Sequence, residues 1–290
     1  MIRADWRGRP AGEELKDVLE FVRICSEFDE DAGFTRVGPG AVEGAGPHLL
    51  VRRESGGPPV AYVRFAREGG EATASLVVHP DVRSTGVATA LLELLGPDAG
   101  AWDGLGTQAV SGWADGHHPA AERLARRFGA RVTGRIWRTL RPLTGPHARP
   151  SPDPSGGFVL TESPPPEEAV RLWRESGLSS RYRPPEDGSG RLLYAAEPGG
   201  SLLGYAWLDR RVSRVEGLRT GTIRAVVPVV PGRGTGLALA SGALALLRDA
   251  GAQAAETRID PELPRAVRMS RLLGFERTQD DVRYTLKSGF

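Results

Sequence analysis

The sequence predicts an α/β chain of two successive domains, each a sheet flanked by helices. Three observations carry this reading. The same order of helical and strand-like periodicities occurs twice, about 145 residues apart. An aperiodic, Pro-rich stretch, LTGPHARPSPDPSGG at residues 143–157, separates the two occurrences. Each half also carries one Gly-rich loop, placed after a strand pattern and before a helix pattern. The expected divisions are therefore residues 1–142, a linker at 143–157, and residues 158–290. A chain of 290 residues suits two domains of ordinary size.

In the first half, residues 11–26 place Leu15, Val18, Leu19 and Val22 at helical spacing. Residues 48–53 (HLLVRR) and 60–67 (VAYVRFAR) read as strands joined by a Gly-Gly-Pro-Pro turn. Residues 71–79 (EATASLVVH) read as a third strand, and 86–95 (GVATALLELL) as a helix with apolar positions at Val87, Leu91, Leu94 and Leu95. A strand at 107–113, a helix at 119–128 and a strand at 135–142 follow. The second half repeats the order: helix 166–177, hairpin 192–197 and 201–209, long strand 220–230, helix 236–250, strand 253–259, helix 265–273 and final strand 281–286. A period this long marks a duplicated domain rather than a solenoid.

Composition excludes several classes. Hydrophobic residues make up 40 % and charged residues 26 %, enough to bury two cores. No apolar run approaches the roughly 20 residues of a membrane span. The start, Met1-Ile-Arg-Ala-Asp-Trp6, has no apolar stretch of the secretory kind, so a soluble cytoplasmic chain with no membrane partner is expected. Cys25 is the only cysteine, which excludes an intramolecular disulfide and a multi-cysteine zinc site. It lies in an amphipathic stretch and reads as a buried structural thiol. The net charge is +2, yet 36 of the 38 basic residues are arginine, with Lys16 and Lys287 the exceptions. Heavy Arg, Ala, Gly and Pro usage points to a GC-rich genome such as an actinobacterial one. Residues 123–149 hold eight arginines and no acid. That stretch reads either as a phosphate-facing patch or as a solvated helix and strand face.

The two loops carry the chemistry. LVVHPDVRSTGVATALLELL at 76–95 and VVPVVPGRGTGLALASGALALL at 226–247 both contain Arg-x-x-Gly-x-Ala: Arg83, Gly86 and Ala88, then Arg233, Gly236 and Ala238. The first turn of a helix leaves backbone N–H groups unpaired, and the macrodipole adds partial positive charge there. A pyrophosphate fits such a terminus when small residues let it approach the backbone, and a nearby arginine adds a charge-assisted contact. The expected donor-binding set is Val77, Val78, Arg83, Ser84, Thr85, Gly86, Val87 and Ala88 in the first half. In the second it is Arg233, Gly234, Thr235, Gly236, Leu237 and Ala238. A Walker loop is excluded because no Gly-Lys-Ser/Thr follows, and a Rossmann loop fits poorly because Gly-x-Gly-x-x-Gly with a later acid is missing.

On these residues the chain resembles the GCN5-related N-acetyltransferase (GNAT) superfamily. Val77, Val78, His79, Pro80 and the Arg83–Ala88 loop follow its donor-loop pattern, and Leu273-Gly274-Phe275 is similar to its closing segment. The resemblance implies two tandem GNAT folds, each a mostly antiparallel central sheet flanked by helices. It further implies acetyl-CoA or another acyl-CoA as co-substrate, and no metal. The two-domain layout, with Trp113-Ala114-x-Gly116 and Arg138-x-Leu140-Arg141-Pro142-Leu143, resembles the mycothiol synthase family. That family uses its C-terminal domain for chemistry, with an acid on the long strand and a tyrosine on the last helix. Here residues 220–226 (TGTIRAV) contain no acid, and Ser270 stands where the tyrosine would fall. A relative with another acceptor, in actinobacterial thiol or specialised metabolism, is the resulting expectation.

The reaction so implied is attack of an amine on a thioester. Glu256, mid-strand in AAETR, is the first candidate base; a salt bridge to Arg258 or Arg224 is its competing role. Ser270 is a candidate hydrogen-bond donor. Asp115 and His117 form a second candidate pair, since histidine titrates near neutrality; GHHP with Asp115 near an N-cap is the structural alternative. His79 is expected to be structural or to line the thioester site. Tyr205 and Trp207 alternate on one strand and either line a substrate pocket or pack the core. Three functions compete: acyl transfer from acyl-CoA to a small-molecule amine; amide formation from aminoacyl-tRNA, with tRNA on the 123–149 stretch; and a catalytically degenerate binding or self-resistance protein. Monomer and dimer both stay open.

Overall fold

A computed structural model describes residues 2–288 except 32–36, 39, 41, 43, 45, 54–56, 103–104, 153–156, 186–188, 210, 216 and 231. In chain order its elements are β1 (Arg3–Arg7), α1 (Gly12–Asp31), β2 (His48–Arg52), β3 (Pro59–Glu68), β4 (Glu71–Val78), α2 (Val87–Leu95), β5 (Ala109–Ala114), α3 (Pro119–Arg127) and β6 (Arg131–Pro142). Then come β7 (Val159–Thr161), α4 (Pro166–Ser176), β8 (Arg191–Ala196), β9 (Leu202–Leu208), β10 (Ser213–Val215), β11 (Leu218–Pro228), α5 (Thr235–Asp249), β12 (Ala254–Ile259), α6 (Pro264–Leu272) and β13 (Glu276–Lys287). Two compact units result: Met1–Arg135 with Asp280–Phe290, and Ile136–Gln279.

In the first unit the strands run β1-β2-β3-β4-β5-β13, antiparallel except for the parallel pair β4 and β5. Both faces of this sheet are covered. Leu50, Tyr62 and Val77 meet Val18, Phe21, Val22 and Cys25 of α1 on one face. Leu49, Phe65 and Ala72 meet Val87 and Leu91 of α2 on the other. Burial on both faces is why Leu49, Leu50 and Val51 form a continuous apolar run rather than an alternation. Each such side chain removed from water contributes about 1.5–3 kcal/mol.

In the second unit the order is β6-β12-β11-β9-β8-β7, with β10 paired to β11, and β11 with β12 is the parallel pair. Leu239, Leu244 and Leu247 of α5 cover one face, over Leu208, Ile223 and Ala255. Ala169 and Leu172 of α4 cover the other, over Tyr194, Tyr205 and Val227. A Cβ on Gly221 would stand 2.5 Å from Leu247 Cδ2, so glycine there lets α5 lie close to the sheet.

The strands predicted at 135–142 and 281–286 begin earlier, at Arg131 and Glu276, and each unit takes part of its sheet from the other half of the sequence. β13 pairs with β5, and β6 with β12. The short strands β1, β7 and β10 were not predicted; each has one strand neighbour, and pairing rather than periodicity defines them. The described part of the 143–157 stretch is anchored within the second unit. Leu143 N donates to Gln253 O at 2.8 Å. Arg141 Nη2 donates to Arg149 O at 2.7 Å and Ser151 Oγ at 3.1 Å. Among the described residues, no helix is long and apolar enough to cross a membrane.

Candidate active site

The parallel pair of the second unit is short. β11 and β12 align Thr220 with Ala254, Gly221 with Ala255, Thr222 with Glu256 and Ile223 with Thr257, and there the ladder ends. Side-chain hydroxyls take over: Thr257 Oγ1 donates to Ile223 O at 2.9 Å, and Thr139 Oγ1 donates to Thr257 O at 3.0 Å. Beyond this point β11 stays paired to β9 on one edge, while its other edge has no β12 partner. Ligands enter α/β sheets at such carboxyl-end openings, and backbone groups on an open edge need partners.

A bulge in β11 sits at the same level. Ile223 is opposite Leu208 and Ala225 opposite Trp207, which leaves Arg224 as the extra residue. The bulge exchanges the faces of the strand: Ile223 packs toward α5, whereas Ala225 and Val227 pack toward α4. Arg224 Nε and Nη2 donate to Asp209 Oδ1 and Oδ2, each at 2.7 Å. These hydrogen bonds raise the guanidinium pKa above its ordinary value against the opposing effect of burial, and the charges of Asp209 and Glu256 add to the rise. Glu256 follows Ala255, which packs toward α5, so by alternation its half-buried carboxylate belongs to the α4 face.

Both glycine loops have the geometry of an uncapped helix start. Gly234 is left-handed (φ 84°, ψ −7°) at the N-cap of α5, with no side-chain cap. Ala238 N donates to Gly234 O at 3.0 Å, so the N–H groups of Thr235, Gly236 and Leu237 precede the helical ladder. In the first unit Gly86 is left-handed (φ 88°, ψ 7°) at the N-cap of α2, again uncapped, and Ala90 N is the first amide to bond back, to Gly86 O at 2.9 Å. Ser84 is also left-handed (φ 63°). Successive turns of this kind make anion-receptive nests. The equivalence of Gly86 with Gly236 read from the motif needs correction. The capping glycine of the second loop is Gly234, and α5 starts at Thr235 rather than Gly236.

No family model matches the chain. A mycothiol acetyltransferase from Thermobispora bispora is 31 % identical to it, over 98 % of this chain and 99 % of that protein. The chain belongs to the mycothiol acetyltransferase family. A second member, from Sanguibacter keddieii, is 32 % identical over 81 % of this chain and 80 % of its own length. Among solved structures, the tandem GNAT protein from the clavulanic acid biosynthesis pathway superposes with a TM-score of 0.69, at 19 % identity, covering 100 % of this chain and 99 % of that one. This family member is thus a tandem GNAT protein and an acyltransferase.

Within this tandem GNAT member the two units differ at the ladder's end. β4 and β5 also pair over four residues, Glu71–Ala109 to Ala74–Gly112. The third pair is Thr73 with Ser111, so Ser111 occupies the register position that Glu256 holds in the second unit. Ser111 is fully buried, accepts from Arg283 Nη2 at 2.8 Å, and shares a 3.1 Å hydroxyl contact with Thr285. A serine under a guanidinium has no proton-accepting carboxylate to offer.

The remaining predicted residues are spread out. Arg83 is held within its own unit: its Nε donates to Val78 O at 2.9 Å, and its Nη1 pairs with Asp29 of α1 at 2.5 Å. Arg233 pairs with Glu197 at 3.3 Å on the surface. Val77 is buried against α1, and Val78 packs beside α2; Val87 and Ala238 are core residues, as is Thr235. Ser270 is buried, and its Oγ donates to Val267 O at 2.9 Å, so its proton is committed to its own helix. Asp115 and His117 lie in a short turn after β5 in the first unit, with His117 Nε2 3.9 Å from Glu122. The cap of α3 is His118, whose Nδ1 accepts from Ala120 N at 3.2 Å, rather than Asp115. His79 Nδ1 accepts from Asp81 N at 3.3 Å.

Tyr205 is fully buried, and its hydroxyl donates to Tyr182 O at 2.5 Å; burial pushes its pKa up. Trp207 packs on the same cluster, with Nε1 buried and unpartnered among the described residues. Cys25 is fully buried, and desolvation pushes its thiol up to about 11. The arginine-rich stretch is not a continuous face. Arg138 and Arg141 are buried, while Arg126 and Arg127 pair with Glu122 and Glu93. Sequence reasoning missed Asp209, named Arg224 only as a competing salt-bridge partner of Glu256, and missed Tyr182. Only the bulge and the cross-strand pairing bring out the first two, and the only signal for Tyr182 was an aromatic just after the first helix of the second half.

Proposed function

We propose that the second unit transfers an acyl group, acetyl in the first instance, from acyl-CoA to the amine of a small molecule, and that the first unit binds donor without transferring it. The observation that carries this is the contrast between Glu256 and Ser111 at the same register position. The donor's pyrophosphate would meet the N–H groups of Thr235, Gly236 and Leu237 at the start of α5. Gly234 presents no side chain in front of them. The thioester would lie in the opening between β11 and β12, where backbone N–H groups of the free edge stabilise the oxyanion. The amine nitrogen attacks the thioester carbon, Glu256 takes a proton from that nitrogen, and the carbon–sulfur bond breaks to release the thiolate, which solvent protonates. Holding both reactants in one opening supplies much of the acceleration.

The acetyl donor is supported by the names of the relatives, mycothiol acetyltransferases. An acceptor other than theirs is supported by the acid-free β11 and by the committed hydroxyl of Ser270. A tRNA donor is less well supported, because half of the arginine stretch is buried or paired. The test is calorimetric titration with acetyl-CoA, followed by thiol release on adding a panel of primary amines. Binding with amine-dependent thiol release is expected. Binding without release for every amine would favour the degenerate, non-catalytic reading.

A further inference from the structure

Arg224 stands out from the other described arginines of the second unit by its backbone. It is the inserted residue of the β11 bulge, and the first unit has no counterpart, since the β3–β4 register runs unbroken from Ala61–Val78 to Glu68–Glu71. Bulges re-aim a side chain and are found beside active sites. Here the bulge sets Arg224 immediately past the last ladder pair, and its partner Asp209 follows Leu208 of the α5 face, so by alternation the pair belongs to the α4 face. Asp209 grips Nε and Nη2 in a two-point fork, which fixes the plane of the guanidinium. The fork leaves both Nη1 hydrogens and one on Nη2 unused by Asp209. The side chain is 45 % exposed, so this edge meets solvent, and Glu256 lies within electrostatic reach.

A fixed cation with a carboxylate within electrostatic reach forms a dipole that complements one kind of acceptor. An ammonium group matches Glu256, and an anionic group a few bonds away matches the open edge of Arg224. A neutral amine would leave Arg224 without that contact. Resting on the acyl-transfer reading above, we infer that the acceptor is an amine carrying a carboxylate near the reacting nitrogen, as in an amino acid, and that Arg224 is its specificity-determining residue. Asp209 is a positioning residue acting through Arg224.

The test compares amino acids with their own carboxamides as acceptors, with acetyl-CoA as donor and thiol release as the readout. The expected result is a kcat/KM about 10–100-fold higher for the carboxylate member of a pair. Arg224→Gln should abolish that preference without changing the KM for acetyl-CoA. Arg224→Lys should keep part of it, because charge survives while the fork does not. Asp209→Asn should reduce it less than Arg224→Gln. Equal rates with acids and amides, or a preference that survives Arg224→Gln, would overturn the assignment while leaving acyl transfer standing. No thiol release with any amine would instead overturn the reading on which it rests.

Discussion

Thr222 and Glu256 are partners in the parallel ladder of β11 and β12, one pair before the ladder ends. This register places a half-buried carboxylate beside the opening between the strands, on the α4 face. One residue further along, Thr257 turns its hydroxyl to the carbonyl of Ile223, and the strands part.

Glu256→Gln keeps the shape and removes the proposed proton acceptor. Loss of one positioned general base costs about 10²–10⁴ in rate. Thiol release should fall by that order while calorimetric acetyl-CoA affinity is unchanged. Full activity in the variant would remove Glu256 from the mechanism.

Gly86→Glu should eliminate donor binding in the first unit alone. Gly86 sits at φ 88°, where any side chain is strained, and the added carboxylate would face the first-turn N–H groups of α2. The space around its Cβ is open, so the substitution need not disrupt packing. Calorimetry should count one acetyl-CoA site fewer, with Gly86→Ala as the control for strain. An unchanged stoichiometry would reject the first loop as a donor site.

The first unit should lose stability in mild acid through His48. This residue is fully buried, with Nδ1 2.6 Å from the Tyr62 hydroxyl and Nε2 3.3 Å from Gly44 O. Burial holds its pKa below the ordinary value; the Gly44 carbonyl opposes this, and Arg64 and Arg9 reinforce it. The unfolded chain therefore binds a proton that the native chain refuses. The contribution of His48 is complete above about pH 6.5 and is lost as pH falls below it. Urea midpoints measured from about pH 8 to pH 5 should drop more steeply for the wild type than for His48→Gln.

Arg141→Met should be neutral or stabilising. Arg141 is 2 % exposed, and its Nε and Nη1 are buried without hydrogen-bond partners among the described residues. Burial is the main cause of its lowered pKa, with Arg149 adding to it. Replacing a poorly compensated buried charge by an apolar side chain of similar length gains up to about 1–4 kcal/mol in other proteins. Arg141→Ala, which leaves a void, should melt below Arg141→Met. An Arg141→Met variant that melts below the wild type would mean that the two bonds to Arg149 and Ser151 outweigh the buried charge.

The local features were legible without a structure. The duplicated order of elements, both Arg-x-x-Gly-x-Ala loops and Glu256 as a mid-strand acid could be read directly, because helix periodicity and turn chemistry depend on neighbours a few residues apart. Even so, local reading misplaced one cap, since only backbone dihedrals separate Gly234 from Gly236. It also put the cap of α3 near Asp115, where His118 serves.

By itself the sequence determined the fold type, the tandem organisation and the presence of two helix starts suited to phosphate. The tertiary structure alone decided which carboxylate stands at an opening. The pairing of Thr222 with Glu256, the bulge at Arg224 and the guanidinium over Ser111 join residues 34, 15 and 172 positions apart or more, counting the Arg224–Asp209 fork for the bulge. Register and bulges are set by packing on both faces of a sheet, and a shift of one residue would send every side chain to the opposite face. The exchange of β6 and β13 between the units has the same origin, because a strand's partner is chosen by the available sheet edge and not by its neighbours in sequence.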